Sequence, residues 1–117
     1  MKKIEIREYE PHEQLVIVYE LSNEDDVNHY DESPNWVKVD LFDPMVKYDS
    51  NCNIGYNGTG PETFARIIVE SFKDYTSDTS YVKARNKVQE YLSKLNNGDS
   101  TVLKNFTILE KDVEHLL

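Results

Sequence analysis

Two stretches of this chain carry the residue types best suited to chemistry. In the first, Asn53-Ile54-Gly55-Tyr56-Asn57-Gly58-Thr59-Gly60-Pro61-Glu62, three glycines precede an amphipathic apolar run. Glycines let a backbone approach phosphate, and the N–H groups opening a helix attract negative charge. Gly58, Thr59, Gly60 and Glu62 are therefore the candidate ligand-binding residues of a small-molecule or nucleotide reading. Neither nucleotide fingerprint is completed. A Walker loop ends in Gly-Lys-Ser/Thr, and no lysine occurs between Lys47 and Lys73. The dinucleotide pattern continues to glycine or alanine where this chain has Thr63, and Pro61 removes one N–H donor. The geometric reading of the same residues is a strand-to-helix turn. It expects positive φ at Asn57-Gly58, a Gly60 that avoids a clash, and Thr59 as helix cap.

The second stretch is acidic. Glu24, Asp25, Asp26, Asp31 and Glu32 fall within nine residues together with His29. The EF-hand spacing, with glycine at loop position six and glutamate at twelve, is absent, so a solvated loop is expected and no metal site is assigned. Residues 1–50 hold 13 Asp/Glu against 5 Lys/Arg, whereas residues 51–117 hold 9 against 8. Such a bias opposes binding to a phosphate backbone and suits docking on a basic protein. Glu24, Asp25, Asp26, Asp31, Glu32 and the adjoining Trp36 are the expected interaction residues, and a host protein with a basic surface is the expected partner. No direct nucleic-acid binding is expected.

Other chemistry is thin. The single cysteine, Cys52, excludes an internal disulfide and has no source of a lowered pKa around it, so a structural role is expected. His12, His29 and His115 are not at ligand spacing, and no nucleophile elbow or H-E-x-x-H motif occurs. No catalytic residue and no cofactor are assigned, and a non-enzymatic protein is expected. A chain of 117 residues has room for one core. It has no apolar run near the roughly 18 residues that span a bilayer, and no signal-peptide core at its N-terminus; a cytoplasmic protein with no membrane contact is expected.

The elements that would position these residues follow from hydrophobic period. Residues 3–9 alternate, with Ile4 and Ile6 on one face, and residues 14–21 are nearly continuous β-branched and apolar, as in a central strand. Residues 36–41 form a third strand whose face Val37, Val39, Leu41 opposes Trp36, Lys38, Asp40. Met45–Tyr48 is expected as a short extension after the Asp43-Pro44 turn, and Ile54–Tyr56 as a brief strand. Thr59 and Glu62 stand at capping-box spacing before a helix over about 61–74, whose stripe is Phe64, Ala65, Ile68, Val69 and Phe72 with Ile67 on its edge. A second helix over about 81–95 turns Tyr81, Ala84, Val88, Tyr91, Leu92 and Leu95 inward, and Asn97-Gly98 stops it. Phe106–Leu109 reads as a strand and Lys111–Leu117 as a terminal helix. The expected fold is α+β in one domain over 1–117: a small antiparallel sheet of about four to five strands against two main helices. Residues 1–56 supply mainly strands and 57–117 mainly helices.

The stretch from Ile54 to Val69 resembles a motif, W-G-Y-G-G-[ST]-G-P-x-x-L-A-x-A-[IL]-L, of a family of small bacterial and bacteriophage proteins of unknown function. Phe106-Thr107-Ile108-Leu109-Glu110-Lys111-Asp112-Val113 resembles its C-terminal W-x-[IL]-x-x-x-D-[IV] segment. The order and spacing hold over about residues 38–117. This chain departs at Ile54 for Trp, Asn57 for Gly, Phe64 for Leu and Ile67 for Ala. The resemblance implies a compact α+β domain and a phage or mobile-element setting, and it transfers no catalytic residue. Together with the acidic first half it leads to an accessory protein that binds a host protein, an inhibitor of a defence or nucleic-acid-binding protein being one such role. A metal-dependent hydrolase built on clustered Asp and Glu is the least supported reading, since no cluster has ligand spacing.

Overall fold

The computed structural model describes residues 1–21, 35–98 and 101–117. Strand β1 (Lys2–Glu10) and strand β2 (Glu13–Leu21) form an antiparallel hairpin, with His12 at φ 67° in its tight turn. Strand β3 (Trp36–Phe42) joins the far side of β2, and strand β6 (Asn105–Leu109) joins the far side of β1, giving the order β3-β2-β1-β6. A separate two-stranded ladder pairs β4 (Asn53–Ile54) with β5 (Thr101–Val102). The expected mixed α+β architecture is present: this antiparallel sheet, two main helices and a short C-terminal helix.

The helices are α1 (Pro44–Tyr48), α2 (Thr59–Phe72), α3 (Asp78–Ser93) and α4 (Glu110–Val113), the last continuing into a 3₁₀ turn. Period dictates the core. Ile4 and Ile6 of β1 and Val16 and Val18 of β2 are buried on one sheet face, with Ile108 of β6 beside them. Phe64, Ala65, Ile67, Ile68 and Val69 of α2 are completely buried against that core. Each large apolar side chain so placed contributes roughly 1.5–3 kcal/mol. Ile67, expected at the edge of the stripe, is fully inside because α2 is covered on a second side by Ala84, Val88 and Leu92 of α3. Tyr81, Tyr91 and Leu95 are only partly covered.

Local chemistry explains two departures from the expected elements. Met45–Tyr48 is helical, not extended. Asp43 supplies the cap, its Oδ1 accepting from Met45 N at 2.8 Å, and Pro44 occupies the first helical position, where its missing N–H costs nothing. The chain then leaves α1 through Asp49 at φ 60°. At α2 the helix begins two residues earlier than expected, and Gly58 takes the cap position without a side-chain bond. Thr59 is therefore the first residue of the helix and does not cap it. Ser77, by contrast, caps α3 through its hydroxyl, which accepts from Ser80 N at 3.4 Å.

The opposite face of the sheet is polar and ionic along β1. Glu5 accepts from Arg7 at 3.0 Å and lies 3.9 Å from Lys3, whose ammonium sits over the rings of Trp36 (4.6 Å) and Tyr19 (5.2 Å). These cation–π contacts join β1 to β2 and β3 across the surface.

Candidate functional site

The acidic candidates Glu24, Asp25, Asp26, Asp31 and Glu32 lie outside the described residues. What the structure does place is the strand that leaves them. Trp36, the sixth candidate, opens β3 opposite Leu21 and lies on the sheet face turned away from α2 and α3, beneath Lys3.

Strand β3 is at the edge of the sheet, and its register corrects the single face expected of Val37, Val39 and Leu41. Val18 faces Asp40 while Tyr19 faces Lys38, so a bulge at Val39 shifts the alternation by one residue. Cross-strand partners share a face. Val37, opposite Glu20, thus lies on the helix side, and Leu41, opposite Ile17, lies on the outer side. No described element covers either of them. Val37, Val39 and Leu41 remain 51%, 49% and 47% exposed, and Met45 and Val46 of the following helix are 50% and 85% exposed. The sequence pattern identified β3 as a strand, but its position beyond the reach of α2 and α3 is a property of the assembled fold. Lys38 and Asp40 on the edge, together with the bulge, are features that discourage open-ended strand addition.

The glycine turn is built from the inside. Gly55 has φ 87°, and its N–H donates to Leu92 O at 3.0 Å, tying the turn to α3. The positive φ expected at Asn57-Gly58 occurs instead at this earlier glycine, while Gly58 is extended at φ −166°. Asn57 Oδ1 accepts from Gln89 Nε2 of α3 at 2.9 Å. Gly60 and Pro61 are buried, and a Cβ on Gly60 would come within 2.6 Å of Asn53 Cβ and Cγ, so the clash expected there is present. The N–H of Glu62 is already committed to Gly58 O at 3.0 Å. Pro61 has no donor, and the Glu62 carboxylate stands in the first turn, where it answers the helix dipole itself and repels an anion. Gly58, Thr59, Gly60 and Glu62 are together as one helix start, in which Gly60 is buried and Thr59 and Glu62 are exposed.

Cys52 is buried, and desolvation pushes its thiol well above the ordinary range, which removes the thiolate needed for nucleophilic chemistry. His12 and His115 are exposed at separate places. Among the described residues no three His, Cys, Asp or Glu side chains converge as metal ligands, and no helix is long and apolar enough to cross a membrane.

A residue that sequence reasoning missed is Gln14. It sits in an apolar strand, is 1% exposed, and bonds to the backbones of Cys52 and Leu103, the residues that flank the two short strands of the second ladder. A glutamine at an inward position of β2 was the available signal. No protein-family model, curated protein or solved structure matches the chain.

Proposed function

We propose that this protein is a non-enzymatic interaction domain, a phage or mobile-element accessory protein that docks on a basic surface of a host protein. The observation that carries the reading is β3: an edge strand with three half-exposed aliphatic residues, directly following the most acidic stretch of the sequence. Exposed aliphatic side chains on both faces of an edge strand, with charged residues beside them in sequence, suit a partner that grips the edge of the sheet. The acidic residues that precede the strand in sequence would steer a basic partner and oppose nucleic acid. An inhibitor of a host defence or nucleic-acid-binding protein fits this chemistry, because such a target already carries basic surface.

The test is affinity capture from a bacterial lysate at low ionic strength, with the wild type beside two variants. One variant neutralises Glu24, Asp25, Asp26, Asp31 and Glu32 to the matching amides; the other carries Val37→Lys and Leu41→Lys. The expected result is one stoichiometric partner, released by about 0.5 M salt as screening shortens the reach of surface charge, and captured by neither variant. Absence of a partner at low salt, or a partner retained equally by both variants, would remove this reading.

A further inference from the structure

At the other end of the sheet from β3, a cleft of about 700 Å³ opens between the C-terminal end of α3 and the segment from β5 to β6. We propose that this cleft binds a small carboxylic acid with an aromatic or branched apolar body, its carboxylate meeting Lys104. The inference stands apart from the interaction reading and uses none of its residues.

The volume falls within the range of about 300–1,000 Å³ typical of small-molecule sites. Its apolar lining comes from Ile54, Tyr91, Leu95, Leu103 and Phe106, contributed by β4, the end of α3 and the β5–β6 segment. Ile54 and Leu103 are almost fully buried, so they form a floor. The polar residues of the lining are few: Asn96, whose Nδ2 donates to Thr101 Oγ1 at 2.7 Å, Asn105 and Lys104. Among the described residues Lys104 is the only charged one lining the cleft, and it makes no salt bridge with any of the others described. An apolar body would cover the floor, and the single cation selects an anionic head.

The walls are fixed before any ligand arrives. Leu103 N donates to Cys52 O at 3.2 Å, and Gln14 Nε2 donates to Leu103 O at 2.7 Å, which pins the β5 side. Lys104 O accepts from Glu8 N at 2.6 Å, holding the backbone of the cation to β1. Phe106 is held edge-on against Phe64, with ring centroids 5.9 Å apart. On the α3 side, Leu92 O is held by Gly55 N. A preformed cleft loses little conformational entropy on binding. The overall charge of −9 opposes anions at long range, but residues 51–117, which supply every lining residue, are nearly balanced, and the Debye length at physiological salt is about 8 Å.

The experiment is an amide chemical-shift titration of the ¹⁵N-labelled protein with 4-phenylbutyrate and with its uncharged counterpart, 4-phenyl-1-butanol. The expected result is saturable shifts confined to the neighbourhoods of Ile54, Leu95 and residues 102–106. Lys104→Gln should weaken the acid about fivefold, the scale of one exposed ion pair, leave the alcohol unchanged, and be rescued by Lys104→Arg. Lys104 is exposed, so both variants should keep the wild-type spectrum elsewhere. No saturable shift with the acid, shifts centred outside the cleft, or equal acid affinity in Lys104→Gln would each overturn the proposal.

Discussion

Gln14 pairs with the backbone of Cys52 as though it were a strand. Its Oε1 accepts from Cys52 N at 2.7 Å, and its Nε2 donates both to Cys52 O at 3.0 Å and to Leu103 O at 2.7 Å. The side-chain amide thereby joins the β4–β5 ladder to the main sheet, across sequence separations of 38 and 89 residues. Gln14→Leu keeps the volume but strands the Cys52 N–H and the Leu103 carbonyl without these partners. Buried unpaired groups cost about 1–3 kcal/mol each, so with two of them urea unfolding should show a loss of about 2–6 kcal/mol at an unchanged m-value. A loss below about 0.5 kcal/mol, the scale of a neutral surface change, would show that the clamp is dispensable.

The residue that Gln14 clamps also carries a buried thiol. Cys52 is completely buried and its pKa is raised by desolvation. In native buffer, 5,5′-dithiobis(2-nitrobenzoate) should therefore label it no faster than the protein opens, and reaction should become rapid in denaturant. Fast stoichiometric labelling of the native wild type would contradict this. In Gln14→Leu the labelling rate should rise with the lost stability, linking the two measurements.

Tyr48 gives a pH signature. Burial, reinforced by the Glu70 carboxylate to which its hydroxyl donates at 3.4 Å, raises its pKa from 10.0 to about 12. The folded state holds this proton more tightly than the unfolded chain does. The associated stability is fully present below pH 10 and is lost as pH rises from 10 to about 12. Ultraviolet titration should show a late-ionising tyrosinate that moves earlier in Glu70→Gln. An unchanged titration curve in that variant would mean the carboxylate has no influence on the phenol.

Much of this architecture is written in local pattern. The alternation at Ile4 and Ile6, the β-branched run through Val16 and Val18, and the stripe on α2 each bury what their period requires. The features that escaped it depend on competition or on distant partners. At Asp43-Pro44, capping chemistry outweighs a short apolar run that reads equally well as extended. Strand β5 has only Thr101 and Val102, too short for any period, and exists because Asn53 and Ile54 are there to pair with it. The exposure of Val37 and Leu41 follows from the reach of α2 and α3, which no window of sequence contains. For the candidate sites, the glycine turn was legible as geometry, though its details moved by a few residues. The cleft at Lys104 was not legible, because its lining spans residues 54 to 106.

Gly60 offers the sharpest test of that turn. It lies in the first turn of α2, where alanine is intrinsically the better helix former by about 1 kcal/mol. Here the close approach of Asn53 should reverse the preference. A Cβ at position 60 would stand 2.6 Å from Asn53 Cβ and Cγ, and Asn53 is itself held by its Nδ2 donating to Tyr56 Oη at 3.1 Å. Gly60→Ala should therefore destabilise by about 1–3 kcal/mol, the usual cost of overpacking. Gly58→Ala is different, because its closest neighbour is the Tyr56 ring, which can yield at the expense of the hydrogen bond its hydroxyl accepts from Asn53. Asn53→Gly removes the obstructing atoms, so a double-mutant cycle should show Gly60→Ala becoming neutral or stabilising in that background. If Gly60→Ala costs the same in both backgrounds, the glycine is required for some reason other than its contact with Asn53.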